Sequence, residues 1–397
     1  MLGLVFKTSV RCVSAAVGST PTSFRHHRTH PVAPRLRLTS SFPVLPGRVI
    51  QEREIPMSNS MGATKWMYAF LTSLLLLTRS AAAPQTAADT PVLTTAADIP
   101  LPGPAVRFDY QSLDPASGLL YISHMNADHL IVFDMRARKV VANLPGFNSV
   151  HGVLVVPQLH RVYASATGLH QVLAVDTRSL EILGSAGPID YPDGIAYAPR
   201  QNRVFVSDEH GGVDAVIDAH TNRLIAKVPL GGGAGNTVYD PRTGNILVAV
   251  HHLDQLVSID PARAVTTHRL SLPGIANPHG IALDPAAHLA FVAGEANRSL
   301  AVVDLDAMRM LGKYQVGPDP DVLAFDPGLN RLYVSAESGE VAIFHLSGRS
   351  LTRIGALRMP RAHTVAVDPS THLVYFPLEN LQGHPVLRIM QPAGQSQ

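Results

Sequence analysis

From Pro91 to the end of the chain, short apolar runs alternate with polar turns rich in Gly, Pro, Asp and Asn. The runs place β-branched and aromatic residues at alternate positions, as in Arg203-Val204-Phe205-Val206-Ser207 and Arg331-Leu332-Tyr333-Val334-Ser335, which is the pattern of strands. The clearest stretch is Pro278-His279-Gly280-Ile281-Ala282-Leu283-Asp284-Pro285. Worn copies read Val150-His151-Gly152-Val153, Pro192-Asp193-Gly194-Ile195 and Ala362-His363-Thr364-Val365, and each closes on a proline six residues after its His or Asp. Those prolines are Pro115, Pro157, Pro199, Pro241, Pro285, Pro327 and Pro369, with successive gaps of 42, 42, 42, 44, 42 and 42 residues. Seven repeats of this period predict an all-β fold, a seven-bladed β-propeller of four-stranded antiparallel blades.

Within a repeat the innermost strand is the apolar run ending at the proline, such as Gly280 to Leu283. A second strand follows after a turn. A third, such as His129 to Phe133, ends at an Asp nineteen residues after the proline in five copies: Asp134, Asp176, Asp218, Asp260 and Asp304. These five read as turn formers. The fourth strand is more polar, as in Lys139 to Leu144, and suits an exposed edge. The seventh repeat stops after three strands near Met390, while Val92 to Pro102 carries a fourth-strand pattern ahead of repeat one. An N-terminal strand is therefore expected to close the ring and remove a free sheet edge.

Composition alters this picture mainly at the N-terminus. Residues 1–50 hold seven Lys or Arg and no Asp or Glu, so the formal charge of +2 comes from there and is no argument for nucleic acid. Residues 1–60 have no hydrophobic period and are read as an upstream segment outside the mature protein. A mitochondrial transit peptide is the competing reading. The upstream reading is preferred because Lys65, the apolar run Trp66 to Thr78 and Ser80-Ala81-Ala82-Ala83 form a complete secretory signal over 61–83. That run is too short for a stable membrane span. A linker at 84–91, the propeller at 92–391 and a tail at 392–397 complete the expected organisation, with a periplasmic or secreted location. The only cysteine is Cys12, so neither a disulfide nor a thiolate ligand is expected in the mature chain.

Arg107-Phe108-Asp109-Tyr110, Leu119-Leu120-Tyr121-Ile122-Ser123-His124 and Val150-His151-Gly152-Val153 resemble segments of the exported YVTN/YncE-like seven-bladed β-propellers of bacteria. The resemblance spans about residues 91–391 and all seven repeats. It implies the fold and an exported location. The family has no single agreed activity, so it implies little about function.

Chemistry is expected where the repeat abandons monotony. Six residues before each proline stand Asp109, His151, Asp193, Gly235, His279, Asp321 and His363. Here the chain enters the innermost strand, so the seven should ring one mouth of the central channel, with Asn236 beside Gly235 reaching the same place. Imidazole and carboxylate together suit a divalent metal ion. Ten residues after each proline lies a second set, which includes Glu209, His251, Glu295, Glu337 and Glu379 and should return to the same face. The opposing reading is a water-filled polar channel whose Asp residues only cap strands. The other histidines, among them His160, His220, His288 and His372, fall on turns and read as solvated. Gly231 to Thr237 lacks the Lys and helix of a phosphate loop, and no Cys-x-x-Cys-His site occurs, so neither nucleotide nor haem is expected.

These features favour an exported binding or scaffold protein with an acidic, His-rich mouth that takes one divalent metal ion, a small ligand or a protein partner on its top face. The alternative is a metal-dependent hydrolase or lactonase at the channel mouth, where the ion lowers the pKa of a bound water. A closed ring needs no partner to protect its edges, so a monomer is expected.

Overall fold

The computed structural model describes residues 91–394. The upstream segment 1–60, the signal at 61–83, all of the linker but Pro91, and the last three residues of the tail lie outside the described residues. Seven four-stranded antiparallel sheets follow one another along the chain. Blade 5 is representative, with strands Pro278–Asp284, Leu289–Gly294, Ser299–Asp304 and Arg309–Gln315 from channel to rim. The seventh sheet takes Ala366–Val367, Val374–Leu381 and His384–Pro392 from the end of the chain. Its outermost strand is Leu93–Pro100, antiparallel to His384–Pro392 with Leu93 opposite Pro392 and Pro100 opposite Val386. Arg388 grips Asp98 across this pair through two contacts of 2.8 and 2.7 Å. No helix among the described residues is long and apolar enough to cross a membrane.

The core lies in the seams between blades. Tyr163, Val172 and Ala174 of blade 2 pack on Ile195, Val204 and Ala215 of blade 3, and Leu256 of blade 4 on Ala290 and Val303 of blade 5. The two middle strands of a blade face a neighbouring sheet on both sides, which is why they are apolar throughout rather than alternating. Leu120, Ile122, Leu130 and Phe133 are fully buried. Fourth strands border solvent, and Lys139–Pro145 alternates exposed and half-buried residues.

Two polar devices set the turns. The Asp before a repeat proline folds back on the backbone, as when Asp114 Oδ1 accepts the Ala116 N–H at 3.0 Å and Asp284 Oδ1 that of Ala286 at 3.0 Å. The Asp ending a third strand does the same: Asp134 Oδ1 accepts from Arg136 and Ala137 at 2.9 and 2.8 Å, and Asp176 Oδ1 from Arg178 and Ser179 at 2.8 Å. Four residues on, Arg138, Leu180, Asn222, Ala264 and Met308 all take positive φ between 46° and 61°. The aspartate bonds hold these non-glycine residues in that disfavoured region.

The expectation of solvated turn histidines fails at His288 and holds only in part at His372, which is half-buried. His288 and His372 do lie on turns, but each turn leans on the blade before it. His288 is 2% exposed, with Nε2 3.0 Å from Asp240 and Nδ1 2.8 Å from Asp306. His372 Nδ1 lies 2.8 Å from Asp326. Both join neighbouring blades on the face opposite the candidate site.

Candidate functional site

The inner strands of blades 2 to 6 break register where the mouth begins, whereas those of blades 1 and 7 start only at Gln111 and Ala366, so that Asp109 and His363 stand in the segments leading into them. The shift falls between Val150 and Val153, Pro192 and Ile195, Ala234 and Thr237, Pro278 and Ile281, and Pro320 and Leu323. A bulge re-aims side chains. Here it spans the position six residues before the proline, and it turns those side chains toward the channel axis. The next residue is Gly152, Gly194 or Gly280 in blades 2, 3 and 5. A Cβ on Gly152 would overlap the Asp193 carbonyl oxygen, and one on Gly280 would overlap that of Asp321. Glycine thus lets adjacent bulges touch backbone to backbone and brings their ring side chains together.

The result is a chain of alternating acid and base. His151 Nε2 lies 3.9 Å from Asp109, Asp109 lies 3.6 Å from His363, and His363 lies 3.9 Å from Asp321. Asp321 lies 3.3 Å from His279, which stands 3.7 Å from Asp193. All six ring residues with ionisable side chains are buried or nearly so. Blade 4 contributes Gly235, whose missing side chain leaves room for His251: a Cβ there would meet His251 Nε2 at 2.8 Å. His251 Nε2 lies 3.0 Å from His279 Nδ1. The second set therefore supplies the imidazole that the first set lacks.

Protonation follows from these contacts. Burial pushes His251 down to about 3, helped by His279, so it is neutral. Burial works against the charge of His279 too, but Asp321 and Asp193 outweigh it and raise it to about 9. His279 Nδ1–H then donates to His251. His279 Nε2–H faces the Tyr110 hydroxyl at 3.2 Å, and Tyr110 in turn lies 3.5 Å from Asp193 Oδ2. Burial raises Asp193 to about 7 although His279 opposes it, and burial also raises Asp321. Asp109 is held low despite burial because His363, His151 and Arg107 surround it. His151 Nδ1–H donates to the Ser149 carbonyl at 2.7 Å, and its Nε2 lies 2.9 Å from the Tyr191 hydroxyl.

Two groups offer ligand atoms lying within 4.8 Å of one another: Asp109, Asp321 and His363, and His251, His279 and Glu295. They are not equivalent. In the second, His279 carries a proton and spends it on His251. In the first, His363 Nε2 is buried without a hydrogen bond, held 3.6 Å from Asp109 and 3.9 Å from Asp321, which raise its pKa against burial. Asp321 Oδ1 makes no hydrogen bond of good geometry and faces His279 Nε2 at 3.3 Å. Two carboxylates and one imidazole form an N/O donor set suited to a divalent first-row ion.

Other residues named from the sequence fall around this centre. Glu209, Glu295 and Glu337 line a cavity of about 190 Å³ above the ring. Glu379 borders a neighbouring cavity and accepts from Arg361 at 2.6 Å. Asn236 does not reach the mouth; it lines the channel below, beside Thr237 and Val238, because the blade-4 bulge gives the mouth position to Gly235 and carries Asn236 one step inward. Tyr110, Tyr191, Arg107 and Arg361 were missed, and the repeat register held the signal for them. Tyr110 replaces the glycine of blades 2, 3 and 5. Arg107, Tyr191 and Arg361 all stand eight residues before a repeat proline.

No family model matches this chain, and no curated protein does. Solved structures do. One chain, titled Kuenenia stuttgartiensis Hydrazine Synthase, superposes with a TM-score of 0.63 at 14% identity, covering 74% of this chain and 97% of its own length. At that identity the likeness concerns the fold alone. The chain is a seven-bladed β-propeller. Its function has to be argued from the mouth.

Proposed function

We propose that this propeller is a binding or scaffold protein that holds one divalent cation at its channel mouth through Asp109, Asp321 and His363. The observation that carries this reading is His363 Nε2, buried without a hydrogen bond and facing the carboxylates of Asp109 and Asp321. Leaving a buried polar group unsatisfied costs on the order of 1–3 kcal/mol. The 3.6 and 3.9 Å separations within the trio are too long for hydrogen bonds and leave room for an ion between the donors. The metal-dependent hydrolase stays second, since it also asks for a base aimed at a bound water.

The family reading belongs to the same proposal: an exported, monomeric, YVTN/YncE-like protein released by cleavage of the segment 61–83. It rests on the repeat and on the Lys65 to Ala83 pattern.

The test is elemental analysis of the propeller purified from a periplasm without chelator or affinity metal, followed by calorimetric titration with Mn²⁺ and Zn²⁺. About one ion per chain is expected, as for a single closed donor set. His363→Ala should lose the ion while its melting curve remains cooperative. A parent protein that neither retains nor takes up either ion at pH 7.5 overturns the reading.

A further inference from the structure

The mouth is uneven around its circumference. Arg107 and Arg361 occupy the same repeat position in blades 1 and 7, which meet where the ring closes. Each is steadied by a glutamate of the second set: Arg107 Nη2 lies 2.8 Å from Glu337 and Arg361 Nη1 2.6 Å from Glu379. A cavity of about 370 Å³ borders both arginines and reaches inward to His363. Arg107 also borders the adjoining cavity with Asp109 and Asp321, so it stands between the cation trio and the open space.

Spare hydrogen-bond donors then point to the occupant. A divalent ion on Asp109, Asp321 and neutral His363 makes the trio electrically neutral. The arginines use only part of their donor forks on glutamate. Arg107 Nε is buried without a partner, and the Arg361 side chain is 70% exposed with one contact, to Glu379. A guanidinium has five N–H donors in a planar fork matched to carboxylate. Glu337 and Glu379 balance the two arginines, so it is the spare guanidinium donors and the open cavity beside a neutral metal cage that favour an anion able to ligate the ion as well.

We propose that this cavity takes a small 2-hydroxy- or 2-oxocarboxylate, whose carboxylate lies on Arg361 and Arg107 while its carboxylate and α-oxygen complete the coordination of the ion. This inference rests on the cation reading above. Lysine in place of either arginine would supply charge without the planar fork.

The experiment loads the full propeller with Co²⁺, whose visible absorption reports its ligands, and then titrates glycolate, with acetate as the carboxylate lacking an α-oxygen. Glycolate should shift the Co²⁺ band saturably and bind at least tenfold more tightly than acetate. Arg361→Gln should weaken glycolate at least tenfold. Arg361 is on the surface, and a melting curve checks that the variant is folded. The spectrum before glycolate shows separately whether Co²⁺ has loaded. A loaded protein whose band ignores glycolate, treats acetate equally, or is unaffected by Arg361→Gln overturns the anion site and leaves the cation reading standing. Failure to load Co²⁺ at all overturns the cation reading and this one with it.

Discussion

Gly280→Ala tests how the fold builds the site. Gly280 is not at positive φ, so the substitution carries no backbone strain of its own. It should gain roughly 0.4–1 kcal/mol by restricting the unfolded chain. Space decides otherwise. The new Cβ would sit inside the van der Waals surface of the Asp321 carbonyl oxygen and 2.6 Å from Leu323 Cδ1. Opening the easier of these contacts to an ordinary 3.4 Å already needs 3.4 − 2.6 = 0.8 Å. The obstruction at Asp321 is backbone, which cannot rotate away, so blades 5 and 6 must part at the mouth. Overpacking costs about 1–3 kcal/mol when side chains yield, and a backbone obstruction belongs at the upper end. A net loss of about 2 kcal/mol is expected, or roughly 3 °C in thermal midpoint for a domain of this size. Metal donors tolerate only about ±0.2 Å, so a shift of Asp321 several times larger should abolish cation binding outright. Differential scanning calorimetry and Co²⁺ titration of the same sample read both effects. Gly152→Ala, which meets the Asp193 carbonyl, should lower the midpoint similarly. A Gly280→Ala protein that melts with the parent and binds Co²⁺ as tightly would refute the account of bulge contact.

Three further outcomes follow from the fold. His288→Asn should cost about 2–4 kcal/mol at pH 5.5, because Asp240, 2% exposed, loses a charged partner. The pKa of His288 is raised, burial opposing and Asp240 and Asp306 prevailing, so its contribution is whole below the unfolded value near 6.5 and declines as pH rises through the folded value. The difference between parent and variant should therefore shrink in alkali, with Arg242 at 3.5 Å from Asp306 as the other charge near the pair; a difference that grows with pH would sink this assignment. Deleting residues 84–103 removes the partner of His384–Pro392 and the Asp98–Arg388 pair, and should lower the melting midpoint of the whole propeller; an unchanged melt would show that the ring stands without that strand. Asp134→Ala loses two backbone acceptor bonds and should cost about 1–2 kcal/mol, read by urea unfolding, with no effect on Co²⁺ binding.

The seven blades were legible in the chain because a propeller repeats one local problem. Each unit needs an apolar pair of middle strands, a polar rim and Asp-based turns, and all of these recur every 42 residues or so. The channel-mouth positions were legible for the same reason: Asp109, His151, Asp193, His279, Asp321 and His363 share one register. Which of them meet was not legible. That depended on the bulges of blades 2 to 6, on glycine contacts between consecutive blades, and on ring closure, which brings Asp109 beside His363. His288 shows the same limit from the other side, since a turn residue becomes buried only when the adjacent blade closes over it. Asn236 shows it by exclusion, displaced into the channel by one step of the blade-4 bulge. Local pattern determined the strands, the repeat and the register. Contact between blades, a tertiary property, decided partnership, burial and charge at the mouth, because those depend on distance in space and not along the chain.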